Sequence, residues 1–154
     1  MTAPLSAIDM FRLESIPGAE LKARVVAANE PTGTTLDGCV LEAQYRCTQG
    51  FLLLTSDNTP YEEGLHIRLL DAHFRVNDAV DLRQVYHSAA VRDLKVIGDD
   101  ALAFSFFGDD RWHLYIDAKA RVHWNLNPFA SVYYPTGRLR SHYLRLVRQD
   151  SRPS

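Results

Sequence analysis

The chain is poor in cysteine, has no long apolar run and carries no closely spaced set of metal-binding side chains. Each shortage excludes something. Its two cysteines, Cys39 and Cys47, stand eight residues apart in what reads as one extended segment. Extended chain of that length spans roughly 26 Å, far beyond the reach of a disulfide. A reducing compartment is therefore expected. No stretch approaches the roughly 18 apolar residues of a membrane-crossing helix, and the opening MTAPLSAIDMF has neither a basic region nor an apolar signal-like core. The expectation is a cytoplasmic chain with no membrane partner. C-x-x-C, H-E-x-x-H and G-x-S-x-G are all absent, so no metal, no cofactor and no hydrolase nucleophile elbow is expected.

What is there is the balance of a globular domain: 154 residues, 46% hydrophobic and 23% charged, which lies well inside the folded range. A chain of this length buries roughly 68–70% of its unfolded surface, so a single domain over residues 1–154 needs no disulfide or metal staple. The net charge of −2 gives no overall field for nucleic acid. Charge is uneven, however. Residues 1–77 hold six basic and ten acidic side chains, while from Tyr134 onward Arg138, Arg140, Arg145, Arg148 and Arg152 face one acid, Asp150. Those arginines lack the aromatic interleaving of a single-strand platform and read as charges on an edge strand, where they discourage edge-to-edge pairing. Nucleic acid is not expected as a partner.

Residues 5–15 are the best helix candidate, with Leu5, Ile8, Phe11 and Leu13 as a partial stripe, Ser6 as N-cap and Pro17-Gly18 as the stop. Strand-length runs follow at 20–28, 38–47, 50–55, 64–71, 73–82 and 91–97, separated by turn-forming clusters at 29–33, 57–60 and 98–100. Leu65, Ile67 and Leu69 alternate with His66 and Arg68 before a turn near Asp71-Ala72 and a return through Phe74 and Val76, which predicts a hairpin. Segment 138–148 fits strand alternation through Leu144 and Leu146 and helical spacing through Leu139, Tyr143, Leu146 and Val147; strand is chosen. The tail 149–154 is expected to be disordered.

Region 91–127 is the most informative. Turn candidates near Asp99, Asp109 and Lys119 lie ten residues apart. Reversals there predict a four-strand antiparallel meander with apolar rows on one face: Val96, Leu102, Ile116 and Val122; then Leu94, Phe104, Leu114 and Trp124; then Phe106, Trp112 and Leu126. A slip of one residue in any hairpin would turn its apolar set outward, so the facing is strongly specified. Nine or ten strands are too many for one twisted sheet of this size. The predicted fold is an all-β, single-domain antiparallel meander closed as a barrel or folded as a two-layer sandwich, with a short N-terminal helix.

The same register puts Asp93, Ser105, His113 and Asn125 in one row of the opposite face, with Tyr115 and His123 in the next. Ser105 beside His113 suggests acyl transfer, but Asp93 would flank the serine, and the histidine would lack its orienting group. His113 and His123, with Asp93 or Asp117 as oxygen ligands, would be a metal set without a recognised ligand spacing. Ala101, Ala103 and Ser105 would make a shallow strip beside flat rings with polar tips, the character of a docking platform, which the N-terminal helix would otherwise cover. Loop 127–137 adds Phe129, Tyr133 and Tyr134, either as binding rings or as a plug for one end of a barrel. The expectation is a non-enzymatic binding or protein-interaction domain of unknown partner, using His113, Tyr115, His123, Ser105, Asn125, Tyr133 and Tyr134. The alternative is a small-molecule carrier or small enzyme with a pocket inside a barrel.

Overall fold

The computed structural model describes residues 4–57, 62–85, 90–106, 110–122, 132–137 and 140–149. Among them every regular element is a β-strand. In chain order these are β1 (Ser6–Ala7), β2 (Phe11–Ile16), β3 (Ala19–Ala27), β4 (Glu30–Asp37), β5 (Val40–Cys47), β6 (Gly50–Ser56), β7 (Glu62–Leu70), β8 (Val76–Val85), β9 (Arg92–Gly98), β10 (Ala101–Ser105), β11 (Arg111–Arg121), β12 (Val132–Tyr133) and β13 (His142–Gln149). No helix among the described residues is long and apolar enough to cross a membrane.

The strands form three antiparallel sheets: six strands in the order β1-β5-β6-β7-β8-β12, four in the order β13-β11-β10-β9, and three in the order β2-β3-β4. β5 to β8 are a plain meander. β6 shows why the six-stranded sheet is central, since Leu52, Leu53 and Leu54 are all without exposure. Successive strand residues point to opposite faces, so a run buried at every position needs cover on both. Leu52 and Leu54 join Ile67, Val80 and Leu82 in a large cluster with Leu102, Phe104, Trp112, Leu114 and Leu144 of the four-stranded sheet. Leu53 and Leu70 join Phe11, Val25 and Leu36 of the three-stranded sheet in a second cluster. There Phe11, Phe51 and Phe74 meet with centroids 5.1 to 5.6 Å apart.

The expected N-terminal helix is not formed. Phe11 to Ser15 pair with Ala27 to Ala23, and Gly18, at φ 80°, lies in the turn that returns the chain into β3. The Pro-Gly stop is thus a hairpin reversal, and pairing with β3 satisfies the backbone that a helix would have satisfied internally. Cluster 29–33 is likewise mostly strand, because Ala28 and Asn29, both at positive φ, complete the turn in two residues. None of the three sheets closes on itself among the described residues, so the barrel expectation is not met.

The described part of region 91–127 keeps its facing but changes its partners. β10 and β11 pair as Leu102 with Leu114 and Phe104 with Trp112, two residues away from the predicted register. A two-residue slip preserves which side each residue faces, so Leu102, Phe104, Phe106, Trp112, Leu114 and Ile116 are buried as expected. The turn near Lys119 does not occur. β11 runs on to Arg121, and its outer partner is β13, from Arg111 opposite Gln149 to Ile116 opposite Leu144. The strand reading of 138–148 agrees with β13, whose Leu144 and Leu146 are buried; Gln149 also belongs to it, and the rest of the tail lies outside the described residues. Val96 pairs with Leu102 but is 38% exposed, since β9 is the sheet edge. Trp124 and Leu126 lie outside the described residues.

Candidate functional site

Ser105, His113 and Tyr115 of the expected site lie on the four-stranded sheet, Ser105 buried and the other two half-buried. β11 alternates buried Trp112, Leu114 and Ile116 with half-buried His113, Tyr115 and Asp117, so the last three share the outer face. Ser105 and His113 are not cross-strand neighbours: His113 lies opposite Ala103, and Ser105 lies opposite Arg111, whose Nη1 donates to its Oγ at 3.4 Å. Asp93 is not opposite Ser105 either, for a register shift places Arg92 there. The serine–histidine row expected for acyl transfer is therefore not assembled.

Tyr115 is the best organised group on this face. Its hydroxyl is 3.3 Å from His113 Nδ1, the two rings meet edge to face, and the Arg145 guanidinium of β13 lies 4.4 Å above the Tyr115 ring centroid. Arg145 Nη2 is also 3.6 Å from Asp117 Oδ1. A guanidinium over a phenol ring is held by the ring quadrupole, and the carboxylate orients it further. Tyr115, Arg145 and Asp117 line an open cleft of about 340 Å³ together with Asp99 and Asp100 of the β9–β10 turn and with Ala101, Ile116 and Ala118. The turn is fixed by main-chain bonds from Leu5 N to Asp99 O and from Ile116 N to Asp100 O, at 2.8 and 2.9 Å. Three carboxylates and one guanidinium around a flat ring can meet a polar or cationic group of a partner. The strip of Ala101, Ala103 and Ser105 is buried, Ala103 to 1% exposure, so contact area lies at the cleft and rings.

The remaining expected residues do not gather here. Tyr133 is in β12, at the far edge of the six-stranded sheet, 48% exposed with the Arg83 guanidinium 5.1 Å from its ring centroid. Tyr134 is half-buried, stacks on His142 at 4.3 Å and packs against the large core cluster, while no closed barrel exists among the described residues for it to plug. Burial, and secondarily the Asp78 charge, raises its pKa above the ordinary phenol value. His123 and Asn125 lie outside the described residues.

Two buried polar clusters were not read from the sequence. In the first, His66 on β7 is directly opposite Asp81 on β8. His66 Nε2 is 2.7 Å from Asp57 Oδ1; its Nδ1 is 3.1 Å from Asp81 Oδ1, a charge contact at an angle poor for a hydrogen bond. Arg68 donates to Asp81 at 2.6 Å and to Asp37 at 2.9 Å, and Arg83 Nη2 is 3.2 Å from Asp81. Burial lowers the His66 pKa, but Asp57 and Asp81 outweigh it and raise it to about 9. Burial likewise raises the Asp81 pKa, and His66 with Arg68 reverses this, leaving it below the ordinary value. With His66 protonated, it and Arg68, joined at the exposed rim by Arg83 and Lys22, face Asp37, Asp57 and Asp81, so the buried charges each meet an opposite one.

In the second cluster, Asp78 accepts from the backbone N–H of Ala79 and of Leu144, at 2.8 and 2.9 Å, and lies 2.7 Å from His142 Nδ1. His142 Nε2 is 2.8 Å from Gly137 O. Asp78 thereby ties β8 of one sheet to β13 of another. His142 has a hydrogen-bonding partner at each ring nitrogen, the arrangement of a strut, whereas His66 is bonded at Nε2 and its buried Nδ1 meets Asp81 only as a charge contact. The chain matches no family model, no curated protein and no solved structure.

Proposed function

We propose that this protein is a non-catalytic binding domain that docks another protein at the Tyr115 cleft on the outer face of its four-stranded sheet. The carrying observation is the cleft itself: an open concavity of about 340 Å³, lined by Tyr115, Arg145 and Asp117, with its cationic and aromatic parts already oriented against each other. Pre-oriented rings and charges at a surface lower the ordering cost of association. The space between the four- and six-stranded sheets is occupied by fully buried leucines, Phe104, Phe106 and Trp112, which favours a surface over the interior pocket of a barrel carrier. We read the stacked sheets as a sandwich. A cytoplasmic setting belongs to the same proposal, supported by an exposed Cys39 and a buried Cys47 separated by the length of β5.

The test is to place a photo-crosslinking aromatic residue at position 115 in cells and identify what it captures. The expected result is one dominant protein adduct, lost when Arg145→Ala and His113→Ala are added. Tyr115→Ala should abolish capture-dependent function in cells lacking the native gene while lowering stability far less than Leu114→Ala. Equal destabilisation by the two changes, or full rescue by the Tyr115→Ala chain, would sink the reading.

A further inference from the structure

The Tyr115 cleft is unevenly charged, and the unevenness is built into the fold. Its lining holds three carboxylates, Asp99, Asp100 and Asp117, against one guanidinium, Arg145. Arg145 is already engaged, 3.6 Å from Asp117 Oδ1 and 4.4 Å above the Tyr115 ring centroid. Among the described residues no cationic side chain pairs with Asp99 or Asp100, so two carboxylates lack a counter-charge. Their backbone is fixed, since Asp99 O accepts from Leu5 N and Asp100 O accepts from Ile116 N. Gln49 Nε2 holds the Asp117 carbonyl in the same way, at 3.0 Å. Gly98, Ala101 and Ala118 add little side chain to the lining, so an incoming group meets chiefly the charges and the ring.

Farther along the same sheet the cross-strand rows are basic. Lys95 and His113 lie on either side of Ala103, and Arg92 and Arg111 on either side of Ser105. Cross-strand partners share a face. Ser105 is four residues from Ala101, which in extended chain is roughly 13 Å. A partner's carboxylate is therefore drawn toward the basic rows and away from Tyr115, whereas a cation is drawn to the cleft. Among the described residues no three acidic, histidine or cysteine side chains are grouped to hold a metal ion, so the cation that fits this lining is an organic one. A lysine or arginine side chain also brings a hydrocarbon stem that can lie along Tyr115 and Ala101 while its charged head meets the carboxylates.

We propose that the cleft takes a lysine or arginine side chain, offered by a basic segment of the protein that docks there. The inference rests on the reading of the cleft as a docking site and adds the chemistry of the partner. Fluorescent tetralysine and tetraglutamate peptides, titrated with the full chain at low salt, test it by anisotropy. The lysine peptide alone should bind, and added salt should weaken it. Asp99→Asn with Asp100→Asn should weaken it about threefold or more. Asp110→Asn should leave it unchanged, because that carboxylate pairs with Arg148 and is not part of the lining. Backbone amide shifts at Ala101, Tyr115 and Ala118 in the native chain give the same answer should the double variant fail to fold. Absence of lysine-peptide binding, equal binding of both peptides, or shifts confined to other surfaces would overturn the proposal. The photo-crosslinker at position 115 separates this from the docking reading itself. An adduct that persists with Asp99→Lys and Asp100→Lys keeps the docking and removes the cation, whereas no adduct from the native chain removes both.

Discussion

The two faces of the six-stranded sheet come from the same strands and the same alternation, yet they are built differently. Toward the four-stranded sheet the face is apolar over most of its extent, with Leu52, Leu54, Leu65, Ile67, Leu69, Val80 and Leu82 all fully buried, and Asp78 enters it as a buried carboxylate met by His142 and the Leu144 N–H of β13. Toward the three-stranded sheet it is apolar only where Leu53, Leu70 and the phenylalanines meet, and beyond them it turns into the His66, Arg68 and Asp81 cluster. The contrast follows from cover. Four strands bury one face with hydrocarbon and a single Asp78–His142 pair, whereas three strands leave one end where several charges must neutralise one another. An apolar face gains from each methylene independently; a charged cluster holds only as a complete set.

The comparison can be broken most directly at Asp81. Asp81→Ala leaves His66 and Arg68 as neighbouring buried cations and should cost about 3–5 kcal/mol in urea unfolding. A loss below about 1 kcal/mol would mean that water or other groups already compensate them. Next, Leu54→Ala and Leu53→Ala, one on each face, should each cost roughly 2–5 kcal/mol, and the double variant should give nearly their sum because the side chains serve separate clusters. Strong non-additivity would show the two faces to be one core.

A third measurement uses pH. The folded His66 pKa of about 9 lies above its unfolded value near 6.5, so between them the folded state holds a proton that the unfolded state has released. Stability from this group is therefore complete below about pH 6.5 and lost as pH rises through 9. Unfolding midpoints should fall over that window, and His66→Gln should flatten the fall; an unchanged slope would remove His66 as its source. The smallest expected effect is at the rim. Arg83 is exposed beside Tyr133 and Asp81, so Arg83→Ala should cost below about 1 kcal/mol.

How much of this was legible depends on range. Facing in β10 and β11 was readable because parity survives an even slip: Phe104 and Trp112 are buried although their predicted partners were two residues away. The helix over 5–15 was misread because Leu5, Ile8 and Phe11 fit a helical stripe locally, while the strand that claims β2 begins only after the Pro17-Gly18 reversal. His66 opposite Asp81 was hidden by one loop length. The predicted turn near Asp71-Ala72 would align His66 with Asn77, whereas the real connection, residues 71–75, is capped by Asp71 and carries Phe74 at φ 65°. At the candidate site, Tyr115 and His113 were found by alternation alone, but Arg145 and the cleft depend on β13, which no local pattern links to β11.

That dependence also sets an order of events. β11 presents an open edge from the moment it forms, and the strand that closes it lies beyond Arg121, starting only at His142. Closure across such a separation carries a loop-entropy cost before any contact is gained, and topologies of this kind fold slowly. During that delay the chain would display an unsatisfied border beside Leu114 and Ile116, one that matches any passing extended segment as well as its own. Variants that slow the arrival of β13, including changes at Asp78 that holds it, are therefore expected to appear first as lost yield and only afterwards as lost stability.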